Sequence, residues 1–227
     1  DLVICNADPP TVYSEMLPSE YSRDSLLKPK KFTHYSMGLY VLFFGSKKKF
    51  SDVAHHTIWM SERYKELLHD IFEKKILTED FSLYLHRPTA TDDTFAPEGC
   101  DSFYVLCPVP NLQGNVQWNS EGPKLKDRIV EALDKTIMPG LKENIEAEFW
   151  MTPEDFKNDY RSKYGAGFSV APIFSQSAWF RYHNKDKKIP NLYFSAAGSH
   201  PGAGIPGVLC SAKVIEKLII KDFKVSH

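Results

Sequence analysis

From Asn191 to Lys213 the chain reads Asn-Leu-Tyr-Phe-Ser-Ala-Ala-Gly-Ser-His-Pro-Gly-Ala-Gly-Ile-Pro-Gly-Val-Leu-Cys-Ser-Ala-Lys: a short strand, a glycine-rich turn, then a helix. Four glycines (Gly198, Gly202, Gly204 and Gly207) and two prolines (Pro201 and Pro206) fall within ten residues. Glycines expose backbone and permit positive φ, so another group can come close. Pro206 presets a helix start, and the N–H groups after it have no partner inside the helix. Such a start favours a phosphate or another electron-rich group. The alternative is a closely packed strand-to-helix turn that holds no ligand.

Gly202-Ala-Gly204-Ile-Pro-Gly207 spells G-x-G-x-x-G, yet its context departs from a dinucleotide unit. There the first glycine follows the strand directly, and an acid about 20 residues on ends a second strand. Here Gly202 lies several residues past Ala197, and Asp222 follows a helix rather than a strand. A phosphate-binding loop of the Walker type needs Lys-Ser/Thr after Gly207, where Val208-Leu209 stand. A hydrolase elbow needs G-x-S-x-G, and Ala197-Gly-Ser-His-Pro201 misses both glycines.

Composition narrows the remaining classes. Among 227 residues, 42% are hydrophobic and the formal net charge is −1, so no basic excess points to nucleic acid. The four cysteines, Cys5, Cys100, Cys107 and Cys210, are scattered without C-x-x-C spacing, which predicts reduced thiols in a cytosolic protein and no zinc or other metal site. Apolar runs such as Gly38–Phe44 fall far short of the roughly 18 residues of a membrane span. Leu2-Val-Ile-Cys5 is an uninterrupted apolar strand of the kind buried on both faces of a parallel sheet. It predicts a chain that is a piece of a longer protein.

Between the two ends the pattern changes. Residues 40–44, 55–59 and 103–109 read as strands, and Phe81, Leu83 and Leu85 alternate with polar neighbours. Ser61 is the expected N-cap of a helix bearing Tyr64, Leu67, Leu68, Ile71 and Phe72 on one face. Leu125, Ile129, Leu133 and Ile137 line a second helix, and Thr152-Pro153 opens a third. In the closing helix, Leu209, Ala212, Ile215, Leu218 and Ile219 form the expected inner side. Parallel-type strands at both ends and alternating strands between them predict an α/β fold with an inserted α+β block over about 30–165. A Lys-rich connector runs up to Lys31.

The run from Leu192 to Val208 resembles the C-terminal flavin signature of bacterial-type phytoene desaturases, members of the amine-oxidase-like superfamily of FAD proteins. Ser36–Gly45, Ala54–Trp59, Pro97–Leu106 and Ser175–Asn184 are similar to the same family in order and spacing, and Val3–Asp8 is similar to the strand that closes its nucleotide domain. The resemblance covers essentially the whole chain and implies a C-terminal half. It implies the C-terminal part of a Rossmann-like FAD-binding domain plus a mixed-sheet substrate domain. By that reading, 1–10 is the end strand of the FAD-binding domain, 11–165 the substrate-binding α+β domain, and 166–227 the returning FAD-binding part. The resemblance implies flavin contact at Gly198, His200, Gly202, Gly204, Ile205, Pro206, Gly207 and Val208, with His200 equally readable as a packing residue. It carries over no catalytic residue.

The implied reaction is FAD-dependent desaturation of a long isoprenoid hydrocarbon, phytoene to a lycopene-type carotenoid. Implied partners are that substrate, the N-terminal half of the same protein and a membrane surface touched peripherally, at the cytoplasmic side. Other readings are an inactive fragment that binds lipid or a partner, and a related FAD-dependent carotenoid isomerase or C30 desaturase.

Three further features carry weaker expectations. His55-His56 resembles a metal pair, but successive strand residues point to opposite faces, so one surface and one packed histidine are expected. Phe168, Phe174, Trp179 and Phe180 suit either a polyene tunnel or an ordinary core. Lys47-Lys48-Lys49 is expected to be a solvated loop rather than a lipid contact, and Ile219-Ile220 with Lys221 and Lys224 is a weak membrane candidate.

Overall fold

A computed structural model describes residues 1–23 and 33–224. Much of the Lys-rich connector therefore lies outside the described residues. In chain order the principal elements are β1 (Val3–Cys5), β2 (Gly38–Ser46), β3 (His56–Trp59), α1 (Tyr64–His69), β4 (Leu83–His86), β5 (Asp101–Val109), α2 (Trp118–Lys135), β6 (Ile145–Met151), α3 (Pro153–Asp159), β7 (Leu192–Phe194) and α4 (Ile205–Phe223). They form two compact units, Gly38–Asp155 and Asp1–Met37 with Phe156–His227.

The unit Gly38–Asp155 is built on a five-stranded sheet of order β3-β4-β5-β2-β6. Every pairing in it is antiparallel, whereas β1 and β7 pair in parallel. Alternation decides the faces. Tyr40, Leu42, Phe44, Leu83, Leu85, Phe103, Val105 and Cys107 form one buried face with Leu125, Ile129 and Leu133 of α2. Burial pushes the Cys107 thiol up to about 12, so it stays protonated and packs as a small apolar group. Where the sheet meets α2, the Tyr40 hydroxyl donates to the Gly122 carbonyl at 2.9 Å and its ring stacks on Trp118.

A buried ion pair secures one end of this sheet. Asp101 accepts from Arg87 Nε–H at 3.0 Å, from the Thr89 hydroxyl at 2.7 Å and from the Phe50 backbone N–H at 2.7 Å. Arg87 also donates to the Val53 carbonyl at 3.0 Å. The helix predicted to follow Ser61 starts later than expected. It begins after Arg63, whose backbone N–H donates to Ser61 Oγ at 3.1 Å, and continues as a π-turn over Asp70–Lys74. Leu67 and Ile71 are buried, whereas Tyr64 and Phe72 are exposed.

The second unit holds β1 and β7 as a two-stranded parallel sheet, with Val3 opposite Leu192 and Cys5 opposite Phe194. Its core gathers Val12, Tyr13, Tyr35, Val170, Tyr182, Leu192 and Phe194. Tyr13 and Tyr182 stack, and the Tyr13 hydroxyl donates to Asp186. Two expectations fail here. Val3 and Ile4 of β1 are half exposed rather than buried. In α4 the inward face is Ser211 and Ile215, while Leu209 and Ala212 face solvent. The reason is polar: Ser211 Oγ meets Asn184 Nδ2 at 3.0 Å and Ser199 Oγ at 3.1 Å, which turns that side of the helix inward.

Candidate functional site

The glycine-rich turn is fixed from beneath by polar groups. Arg181 is buried and spends its guanidinium on three carbonyls, those of Ala197 (2.9 Å), Phe168 (2.7 Å) and Gln176 (3.3 Å). Asn184 Nδ2 donates to the carbonyls of Phe194 and His200, and the His200 N–H donates to the Tyr182 carbonyl at 2.7 Å. Asp8 accepts from the Ser169 hydroxyl and from the Lys163 N–H at 3.0 Å. Burial holds the Asp8 carboxyl above its usual range despite these donors.

The residues assigned to this turn separate into two groups. Gly198 and Gly207 are required by packing. A Cβ on Gly198 would lie 2.6 Å from Ser169 Oγ and 2.7 Å from Pro9 Cδ, and one on Gly207 would lie 2.6 Å from the Gly202 carbonyl oxygen. Gly204 differs: its φ of +89° requires glycine, but no atom stands within 4 Å of an added Cβ. It precedes α4, whose start has no side-chain cap. Ile205 is 79% exposed, Pro206 is exposed beside it, and Val208 is half-buried. Pro201 follows His200 through a cis peptide bond, and Gly202 lies against Arg181. His200 stands edge-on to Trp179, and its Nδ1 is buried with no hydrogen-bond partner among the described residues.

These features suit a flavin head group. An uncapped helix start beside an open glycine offers backbone N–H groups to electron-rich oxygens or nitrogens, and an orphaned ring nitrogen calls for a partner. Phe174, Trp179 and Phe180 are largely exposed, Phe174 by 88%, so the ordinary-core reading of these aromatics is set aside. Phe168 is half-buried.

Sequence reasoning missed a second candidate surface, on the outer face of the five-stranded sheet. His56 pairs with His86, His86 with Tyr104, Tyr104 with Phe43, and Phe43 with Phe149, one residue from each strand in register. The rings touch along the row: centroids lie 5.3 Å apart for His56 and His86, 6.3 Å for His86 and Tyr104, 5.3 Å for Tyr104 and Phe43, and 4.5 Å for Phe43 and Phe149. Beside it runs a row of small residues, Ser102, Gly45 and Ala147, again in register. Large rings next to small side chains leave a depression of about 340 Å³ floored by Phe43, Gly45, Ser102 and Ala147. It is mostly apolar, and its lining comes chiefly from β2, β5 and β6.

The expectation that His55 and His56 diverge is also corrected. His55 lies just before β3 and escapes strand alternation, so its ring packs 4.4 Å from that of His56. The His55 and His86 Nε2 atoms are 2.9 Å apart. Burial and the two neighbouring imidazoles hold His86 below its ordinary value. Near Lys47-Lys48-Lys49, Lys47 approaches Glu146, Lys48 donates to the Pro139 carbonyl and Lys49 pairs with Asp93. No helix among the described residues is long and apolar enough to cross a membrane.

The backbone resembles part of a larger solved structure. An oxidoreductase from Methanosarcina mazei superposes on 95% of this chain with a TM-score of 0.53 at 15% identity, and the match takes up 43% of that protein. The chain therefore shares the fold of that part of the protein. Its sequence relatives are more specific. Over 97% of its length it is 46% identical to the lycopene-forming phytoene desaturase of Pantoea ananas, and over 96% it is 44% identical to the neurosporene-forming enzyme of Rhodobacter capsulatus. A 4,4'-diapophytoene desaturase from a Methylomonas species is 31% identical. The chain is thus a homologue of bacterial phytoene desaturases and spans about 45% of the length of the Pantoea ananas enzyme. No family model matches.

Proposed function

We propose that this chain is the C-terminal half of an FAD-dependent desaturase that introduces double bonds into a long isoprenoid hydrocarbon, converting phytoene to a lycopene-type carotenoid. The observation that carries the reading is the 46% identity over nearly the whole chain to a lycopene-forming phytoene desaturase. The lower identity of the diapophytoene enzyme favours phytoene over the shorter C30 substrate.

In this reading the two units divide the work. The unit Gly38–Asp155 is the substrate surface, and the Phe43–Phe149 row with its small-residue groove is the place where a polyene lies. A hydrocarbon has no polar group to recognise, so shape and apolar contact must select it. The unit Asp1–Met37 with Phe156–His227 is part of the FAD-binding domain. Gly204, Ile205 and the start of α4 would hold the flavin through backbone N–H groups, and His200 would supply a side-chain contact. Bound FAD supplies a hydride acceptor for a C–H bond of the substrate. Gly198, Gly202, Pro206, Gly207 and Val208 shape the turn that presents those groups.

The same reading accounts for the apolar surface left open around β1 and α4. A two-stranded parallel sheet is not a stable unit by itself. Leu2, Val3, Ile4, Ile205 and Leu209 are exposed, and their partner is the N-terminal half, which carries the rest of the nucleotide-binding fold. Peripheral membrane contact belongs to this reading because a C40 hydrocarbon resides in the bilayer. The test is to combine the chain with the half encoded upstream of it and supply phytoene in liposomes. Appearance of the long-wavelength bands of a conjugated polyene supports the assignment, and unchanged phytoene in the presence of bound flavin contradicts it.

A further inference from the structure

At its β3 end, the outer face of the five-stranded sheet carries a cluster of histidines. His55, His56 and His86 each offer a ring nitrogen, and these atoms all lie within 4.8 Å of one another. Three imidazoles with no carboxylate among them form a borderline nitrogen donor set. Such a set suits Zn²⁺, Ni²⁺ or Cu²⁺ and does not suit Mg²⁺ or Ca²⁺, which take oxygen ligands.

The surroundings of the rings favour coordination through Nε2. His55 Nδ1 meets the Thr91 hydroxyl, and His56 Nδ1 meets the Tyr84 hydroxyl at 2.8 Å. When Nδ1–H donates to these oxygens, the lone pair of each ring sits on Nε2. This is the outer-shell arrangement that orients metal-bound histidines. The His55 and His86 Nε2 atoms are already 2.9 Å apart. Tetrahedral zinc with bonds of about 2.0–2.1 Å separates its nitrogen ligands by roughly 3.3 Å, so the pair needs only a small opening.

We propose that His55, His56 and His86 bind one late transition-metal dication through their Nε2 atoms, with water in the remaining position. The His56 and His86 rings stack within 12° of parallel, and the His55 ring is tilted by 34° from that of His56. Coordination turns them so that the lone pairs converge. It replaces the N–H···N hydrogen bond between His55 and His86, and His86 moves its ring proton from Nε2 to Nδ1 with no net proton released. His56 is exposed, so the ion enters from solvent. Because His56 and His86 are cross-strand partners, the ion clips the edge strand β3 to β4.

The test uses the full chain, stripped with a chelator and dialysed, then titrated with Zn²⁺ by calorimetry and with Co²⁺ for ligand-field bands. The expected result is one ion per chain, with Co²⁺ bands of a nitrogen-rich site and a melting temperature that rises with Zn²⁺. His56→Gln and His86→Gln each weaken binding about tenfold or more and abolish the melting shift, whereas His34→Gln changes neither. Without metal, the exposed His56→Gln variant melts with the parent, which separates loss of the site from loss of the fold. Absence of stoichiometric binding to the parent, or equal binding by the parent and His56→Gln, overturns the proposal.

Discussion

Phe43 and Phe149 stack face to face on paired strands, with ring centroids 4.5 Å apart and planes 9° from parallel. Two residues along β2 from Phe43, Gly45 leaves the neighbouring groove open, with no atom within 4 Å of an added Cβ. Gly45→Leu therefore fills the groove from its floor. The expected outcome is stability within about 1 kcal/mol of the parent, with kcat/KM for phytoene in the reassembled enzyme down about tenfold or more. Denaturant melts and initial rates measure the two. Unchanged kcat/KM would place the polyene elsewhere.

In the glycine-rich turn, Gly207→Ala and Gly204→Ala separate packing from ligand contact. The first drives a Cβ to 2.6 Å from a backbone oxygen and is expected to cost about 1–3 kcal/mol through overpacking. The second meets no atom, and its cost is only that of φ +89° for a residue with a Cβ, about 1–2 kcal/mol. Flavin affinity is expected to fall for Gly204→Ala even after correction for folded fraction, as fluorescence titration would report.

Arg87 and Asp101 form an ion pair whose side chains are 8% and 0% exposed. Removing one partner leaves the other charge buried. Arg87→Met is expected to destabilise the chain by about 3–5 kcal/mol, whereas replacing the exposed Lys124, paired with Glu121, should change it by no more than about 0.5 kcal/mol. Urea midpoints compare the two. Equal, small effects would show that Asp101 is satisfied by Thr89 and Phe50 alone.

Asp222 accepts from Lys185 Nζ and from the Tyr193 hydroxyl, both at 2.6 Å. Lys185, then Tyr193, holds its carboxyl below the ordinary value of 3.8. A depressed carboxylate stabilises the fold above its unfolded pKa and loses that contribution as pH falls through the folded one. Asp222→Asn should thus be less stable than the parent at neutral pH, with the gap closing as pH falls below about 4. Paired melts from pH 3 to 7 would reveal it, and a pH-independent gap would contradict the ionic origin.

Local periodicity carried much of the architecture. Leu83 and Leu85 face the core while Tyr84 and His86 face outward, as alternation predicts, and Leu125, Ile129 and Leu133 are fully buried on α2. β6 escaped notice because it is an edge strand whose residues are mostly exposed, which erases the period-two signal. The aromatic row is illegible for a different reason. His56, His86, Tyr104, Phe43 and Phe149 come from five separate strands, and only register brings them together. The histidine cluster likewise depends on His86 arriving from β4. In α4 the apolar residues suggested a face through Leu209, but buried hydrogen bonds to Ser211 set the rotation. The glycine run signalled a ligand loop, yet spacing alone did not distinguish Gly198 and Gly207, held by packing, from Gly204, which faces open space.

Flavin retention is the deciding measurement. The chain is to be purified alone and together with the half encoded upstream, and each sample scanned for the absorbance of bound oxidised flavin. Little or no flavin is expected on the chain alone and one flavin per complex in the mixture, lowered when His200→Ala or Gly204→Ala is present. A well-formed complex of the two halves that holds no flavin would contradict it.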